Sequence, residues 1–233
     1  LKPQTRYYVT VEVWDQDGDN AKGTTDFETG LMNGTLKAWD QAAWIGGIST
    51  KKYNILMREI SLDKEVEKAR LYVSARGIYE AKINGVQVGE AYCSTGISQF
   101  VHHIMYQTYD VTEQLKSKEA GENELVAVVG GGWAVGSFTY KRVNRNYADR
   151  QALLCELRIT YEDDTEEIIG TDESWDVTLD GAVKETEFYN GEVYDATIDM
   201  EKISWHKASR EQIKLHPEIL AQYGAPVKTH EVF

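Results

Sequence analysis

The chain has 233 residues, enough for one large domain or two modest ones, and 42% of them are hydrophobic, which can supply a core. Its net charge of −13 disfavours nucleic acid and anionic membranes as partners, because both require a basic surface. Cys93 and Cys155 lack CxxC spacing, so we predict two free, partly buried thiols.

The first thirty residues predict a β-hairpin. Apolar and polar side chains alternate from Tyr7 to Trp14, and residues 25–29 are predicted to form the return strand. The turn at 15–20 carries three alternating aspartates, which raises the possibility of a calcium loop. Its glycine is not at the sixth position and both flanks are strands, so a solvated hairpin turn is predicted instead.

An apolar segment follows this hairpin. Trp39, Trp44 and Ile45 are predicted to anchor it to the next module. Residues 55–62 then alternate well enough to predict another strand.

The clearest alternation lies in residues 69–76. Leu71, Val73 and Ala75 occupy every second position, which predicts a strand with one buried face. Gly77 interrupts this pattern.

Further strands are predicted on both sides of a tight turn. Residues 79–83 resume the alternation, and Asn84-Gly85 predicts a hairpin turn because a positive φ is tolerated there. The other predicted strands cover residues 106–112, 123–129, 152–161 and 166–169.

A glycine run and a basic loop form the best candidate for a ligand-facing surface. The run 130–132 lacks the GKS/T and GxGxxG patterns of phosphate loops. Residues 140–150 (YKRVNRNYADR) are basic, aromatic and rich in Asn in an otherwise acidic chain. Such side chains bond vicinal hydroxyls, and an indole stacks on a sugar ring. We predict that Trp133 is the stacking platform. The predicted hydrogen-bond partners of the sugar hydroxyls are Tyr140, Asn144 and Arg145. The alternative is an ordered loop that binds no ligand.

Four segments resemble the N-terminal β-sandwich domain of bacterial α-L-rhamnosidases. They are ARLYVSARGIYEAKINGVQVG at 69–89, YQTYDVT at 106–112, GENELVAVVGGGW at 121–133 and GEVYDA at 191–196. Their order and spacing make the match specific over roughly residues 60–200. Upstream, LKPQTRYYVTVEVWD and FETG resemble the last strands of a fibronectin type III-like domain.

The resemblance implies an all-β fold. We expect a jelly-roll or galactose-binding-like β-sandwich with remnants of a neighbouring β-sandwich. The expected divisions are 1–30 for the fibronectin type III-like strands, 31–205 for the accessory sandwich and 206–233 for an exit segment toward a further domain. The chain is thus expected to be a fragment of a longer protein, and its free thiols favour the bacterial cytoplasm.

The resemblance also implies a function. Enzymes of this family hydrolyse rhamnosides in a separate helical barrel, so we expect no catalytic residue here and no activity of the chain alone. In some relatives such a domain binds terminal rhamnose with calcium, which implies Glu192 and Asp195 as metal or hydroxyl ligands; a turn at a strand end is the alternative. The expected partners are a rhamnose-containing glycan and the catalytic domain of the parent chain. We expect that no cofactor is required, and calcium is the one possible metal ion that the resemblance implies.

Two other functions stay open at this point. In the first, the domain is only a structural module that packs against the catalytic barrel. In the second, it is the sugar-binding-like domain of another glycosidase class. Both stay open because a fold alone does not define a function.

Overall fold

The computed structural model describes residues 1–47, 54–115, 121–213 and 216–231. Strands dominate this part of the chain. They are β1 (Arg6–Trp14), β2 (Asn20–Glu28), β3 (Ile45–Gly46), β4 (Asn54–Ile60), β5 (Val66–Arg76), β6 (Ile78–Ile83), β7 (Val86–Gln87), β8 (His103–Asp110), β9 (Asn123–Gly130), β10 (Ala152–Tyr161), β11 (Glu166–Gly170), β12 (Asp176–Thr178), β13 (Val183–Glu187), β14 (Gly191–Tyr194), β15 (His206–Lys207), β16 (Ser209–Arg210) and β17 (Glu218–Ala221). The helical segments are α1 (Gly132–Val135) and the 3₁₀ turns Leu36–Ala38, Thr112–Gln114 and Met200–Lys202.

Two sheets form a β-sandwich. The larger has the strand order β16-β3-β10-β5-β8-β17, with β11 also paired to β10, and the smaller has the order β15-β12-β4-β9-β6-β7. Neighbours are antiparallel except for β17, which runs parallel to β8. Because β4, β5 and β6 alternate between the sheets, the chain crosses from one layer to the other, as in Greek-key sandwiches. The predicted all-β sandwich is confirmed.

The main core lies between the two sheets. Its members from the larger sheet include Leu71, Val73 and Leu153, and those from the smaller include Leu125 and Ile83. Successive side chains in a strand point to opposite faces, so every second residue lies on the same face. All five of these residues lie on the face of their strand that points into the layer between the sheets.

A second apolar layer covers the outer face of the larger sheet. Tyr72 is 1% exposed and packs there with Tyr106, Trp39 and Trp44. The predicted strand is therefore present as β5, but the prediction of one buried face is wrong. The reason is the segment 31–44, which lies across the sheet and is fixed partly by the Leu31 N–H donating to the Tyr106 hydroxyl over 2.8 Å. The predicted anchoring role of Trp39 and Trp44 is confirmed.

Glycine is required where β5 turns into β6. Gly77 has a φ of +140°, and a Cβ at this position would lie 2.0 Å from the Gly130 carbonyl oxygen. The next turn has positive φ at Asn84 and Gly85, and it joins Ile83 to its partner Val86, so the predicted hairpin is confirmed.

The β1–β2 hairpin stands apart from the sandwich sheets. Its strands pair with each other from Arg6–Glu28 to Trp14–Asn20, and Val11 and Trp14 are exposed. The Asp15 carboxylate accepts hydrogen bonds from main-chain N–H groups within its own turn, and the strands pair on both sides of it, so the predicted hairpin turn is confirmed.

The base of this hairpin is tied to the sandwich by charge. Glu28 lies 3.0 Å from Arg70 Nη2 and 3.2 Å from Lys68 Nζ, and Arg70 also pairs with Asp110.

Residues after 205 contribute to both sheets. The short β15 joins the smaller sheet, whereas β16 and β17 join the larger one. None of the described helices is long and apolar enough to cross a membrane.

Candidate functional site

A cleft of about 190 Å³ lies between α1, the loop that follows it and the β13–β14 hairpin. We call it the hairpin cleft. It is lined by Gly131, Val135, Gly136, Asn144, Arg145, Gln151, Glu185, Thr186, Asn190, Gly191 and Val193.

The glycine run shapes the inner wall of the hairpin cleft. Gly132 has a φ of +49°, and a Cβ there would lie 2.8 Å from Ile78 Cγ2. The run can therefore pack directly on the start of β6 at the point where α1 begins. Downstream, the Arg145 N–H donates to the Val135 carbonyl oxygen over 2.9 Å, which fixes the loop against α1.

Two of the predicted hydroxyl partners come together in this cleft. Asn144 and Arg145 both line it, opposite the β13–β14 hairpin. Tyr140 is fully exposed and is not among the lining residues. It lies in the outward part of the loop, between Phe138 and Val143, which pair with each other.

Trp133 lies beside the cleft without lining it. Its half-buried indole packs against Phe188 at the tip of the β13–β14 hairpin, with ring centroids 4.5 Å apart and planes 36° apart. Trp133 therefore fastens this hairpin to α1, and a sugar that stacked on the indole would have to share it with Phe188.

The structure places Glu192 and Asp195 differently from each other. Gly191 and Val193 of β14 line the cleft, whereas Glu192 between them is not among the lining residues. Asp195 follows the strand, and its Oδ1 accepts from the Thr197 N–H at 3.0 Å and the Thr197 hydroxyl at 2.6 Å. These bonds hold the pKa of the Asp195 carboxyl below its ordinary value.

Sequence reasoning missed the carboxylate that does line the cleft. Glu185 pairs with Val193 across the hairpin and shares its cleft-facing side. A register irregularity lies between Val183 and Glu185, directly before this position. Strand alternation alone would not reveal it, since a bulge exchanges the faces of the residues that follow.

Metal-binding potential is limited in the described residues. They contain no group of three or more His, Cys, Asp or Glu side chains that could hold a metal ion. The oxygen atoms of Glu185, Asn144 and Asn190 are of the type that calcium prefers, but Glu185 is the sole carboxylate among the residues that line the cleft.

Family comparison identifies the sandwich. Residues 64–231 match the family described as "Alpha-L-rhamnosidase N-terminal domain". The chain belongs to this family. Residues 1–33 match the family described as "Rha78A-like, N-terminal immunoglobulin domain". This second match covers the β1–β2 hairpin, for which the sequence resemblance implied a fibronectin type III-like domain.

Individual relatives of the α-L-rhamnosidase N-terminal domain agree with this assignment. An α-L-rhamnosidase of Formosa agariphila is 30% identical over an alignment of 214 residues that covers 86% of this chain and 22% of that protein. The crystal structure of native α-L-rhamnosidase from Aspergillus terreus is 27% identical with a TM-score of 0.84, covering 98% of this chain and 28% of that one. The chain thus spans about a quarter of the length of these two relatives.

A third comparison concerns the fold alone. The Streptomyces avermitilis α-L-rhamnosidase complexed with L-rhamnose has a TM-score of 0.84 at 20% identity, over 99% of this chain and 39% of that chain.

Proposed function

We propose that this chain is a carbohydrate-binding accessory domain of an α-L-rhamnosidase and that it holds a terminal L-rhamnose in the hairpin cleft. The observation that carries the proposal is the joint placement of Asn144, Arg145 and Glu185 around one concave surface beside the Trp133–Phe188 aromatic pair.

The chemistry of the lining suits sugar hydroxyls. The Asn144 amide both donates and accepts hydrogen bonds, Arg145 only donates, and Glu185 as a carboxylate only accepts. A volume of about 190 Å³ is below the roughly 300–1,000 Å³ of pockets for drug-sized ligands, which favours one sugar ring over an oligosaccharide.

The proposed role is accessory because the family resemblance implies that hydrolysis takes place in another part of the parent enzyme. A glycosidase needs two opposed carboxyl groups. Glu185 is the one carboxylate among the residues lining the hairpin cleft, so the proposal gives this site binding and no bond cleavage.

The test is a titration of the 233-residue chain with L-rhamnose, followed by amide chemical shifts, with calcium and with chelator. We expect saturable shifts in residues 130–147 and 183–194, and their loss in Asn144→Ala. Asn20→Ala, which lies in the β1–β2 hairpin, is the matched control and should bind as the parent chain does. Comparing the two calcium conditions tests whether the cation contributes.

Absence of shifts at tens of millimolar L-rhamnose would overturn sugar binding and leave a second candidate, packing against the catalytic domain. That alternative is favoured by one observation: the β13–β14 hairpin exposes a run of apolar side chains. They are Phe188, Tyr189, Val193 and Tyr194.

A further inference from the structure

A second, larger cleft adjoins the hairpin cleft on the side of the larger sheet. It has a volume of about 660 Å³. We call it the arginine cleft because four of its lining residues are Arg76, Arg145, Arg150 and Arg210. Its other charged lining residues are Asp149 and Glu211. Four guanidinium groups against two carboxylates give a local positive excess in a chain whose net charge is −13.

Arg76 is the most confined of these cations. It ends β5 and its guanidinium donates to the Tyr147 carbonyl oxygen over 3.4 Å. Within the described ranges it forms no ion pair; Asp149 and Glu211 act on it only at longer range, and burial lowers its pKa. Arg76 is half-buried, and a partly desolvated cation without a close counter-charge is unfavourable, so an anionic ligand would offset this cost.

Arg150 also retains binding capacity. Its Nη1 lies 3.7 Å from Glu211 Oε1, too far for a hydrogen bond, and its side chain is 45% exposed. Arg210 is held at its Nε by Glu173 over 2.7 Å. Arg150 thus offers an exposed guanidinium in the same cleft as the half-buried Arg76.

The two clefts are neighbours, since Arg145 lines both. For a glycan with one ring in the hairpin cleft, the arginine cleft is therefore the adjacent concave surface for its neighbouring ring. We propose that the arginine cleft binds the carboxylate of a uronic acid next to that rhamnose. A planar guanidinium matches a carboxylate in a two-bond geometry, which distinguishes it from a neutral sugar. That the carboxylate belongs to a glycan rests on the proposed function.

The experiment compares methyl β-D-glucuronide with methyl β-D-glucoside, each titrated into the 233-residue chain by calorimetry. We expect the glucuronide to bind, the glucoside not to bind, and the glucuronide affinity to fall as sodium chloride rises. Arg150→Gln should weaken glucuronide binding about tenfold or more, the effect of losing a hydrogen bond between charged groups. Arg6→Gln, in the β1–β2 hairpin, is the matched control with unchanged binding.

Arg76→Gln provides a second measurement, with thermal unfolding used to verify that it folds; it should also weaken binding about tenfold or more. Equal binding of glucoside and glucuronide, or unchanged glucuronide binding in Arg150→Gln, would overturn the proposal. So would binding of inorganic sulfate without binding of glucuronide.

The design separates this proposal from the function of the hairpin cleft. L-Rhamnose binding that is lost in Asn144→Ala and kept in Arg150→Gln reports on the hairpin cleft alone. Glucuronide binding without any L-rhamnose binding would support the arginine cleft and overturn its link to a rhamnose-containing glycan.

Discussion

Arg158 donates from its Nε to Glu156 Oε1 over 2.7 Å, and Glu156 is fully buried in the larger sheet. The other carboxylate oxygen accepts from the Gln41 N–H at 2.9 Å. Both residues project from the face of β10 that the segment 31–44 covers. The pair therefore holds that segment on the sheet, with each oxygen of the buried carboxylate given a partner.

Arg158→Met should destabilise the fold strongly. It leaves a buried carboxylate without its counter-charge, and breaking such a pair typically costs about 3–5 kcal/mol. Urea unfolding measures the change. Lys207→Met removes an exposed partner of Asp176 and should cost about 1 kcal/mol or less. Equal effects of the two substitutions would contradict the structural role of the Glu156–Arg158 pair.

Substitution of two turn glycines should give different losses of stability. Gly85→Ala meets no atom within 4 Å and suffers only from its φ of +78°, a cost of about 1–2 kcal/mol. Gly77→Ala adds a clash with the Gly130 carbonyl oxygen and should be clearly more destabilising.

Gly23→Ala serves as the control for both, since its site in β2 is open and its φ is ordinary; it should leave stability nearly unchanged. Thermal denaturation of the three variants ranks them, and a Gly77 variant as stable as the Gly85 variant would refute the close approach.

The carboxyl of Asp163 should titrate at low pH. A hydrogen bond from Lys64, followed by those from Thr165, lowers its pKa from 3.8 to about 2. Because the folded value is the lower one, this contribution to stability is present above about pH 4 and is lost as the pH falls through about 2. Carboxyl carbon NMR measures the pKa directly.

Lys64→Met should move the Asp163 pKa back toward 3.8, whereas Lys22→Met in the β1–β2 hairpin should not change it. A pKa that is insensitive to Lys64→Met would exclude this ion pair as the cause.

The two thiols should differ in reactivity. Both are free, as predicted; Cys93 is half-buried as predicted, whereas Cys155 is fully buried in the core rather than partly buried. Burial, with a smaller effect of Glu156, raises the pKa of the Cys155 thiol far above its ordinary value, and the thiolate is the reactive form. We expect a disulfide reagent to modify one thiol in the native chain and two in urea. Cys93→Ser should abolish the native reaction, and rapid modification of Cys155 would contradict its burial.

Much of the fold could be predicted because strand alternation is a local property. The strands at 69–76, 123–129 and 152–161 and the Asn84-Gly85 turn all follow from neighbouring residues. The burial of Tyr72 could not be predicted in this way, since it depends on a distant segment crossing the outer face of the sheet.

The candidate sites show the same limit. Asn144 and Arg145 stood out by composition, and the structure places both in the hairpin cleft. Glu185 was missed because strand alternation cannot be followed across the register irregularity that precedes it in the β13–β14 hairpin. Arg76 and Glu211 are separated by more than a hundred residues, and only the pairing of distant strands brings them to one cleft.

The β1–β2 hairpin has a practical consequence for handling this protein. Its strands find no further pairing among the described residues, and Val9, Val11 and Val13 share one side with Phe27. Open strand edges beside an uncovered apolar side invite another molecule to add its own strand. We therefore expect concentrated samples to associate through this hairpin, and we expect Val11→Lys to reduce that association.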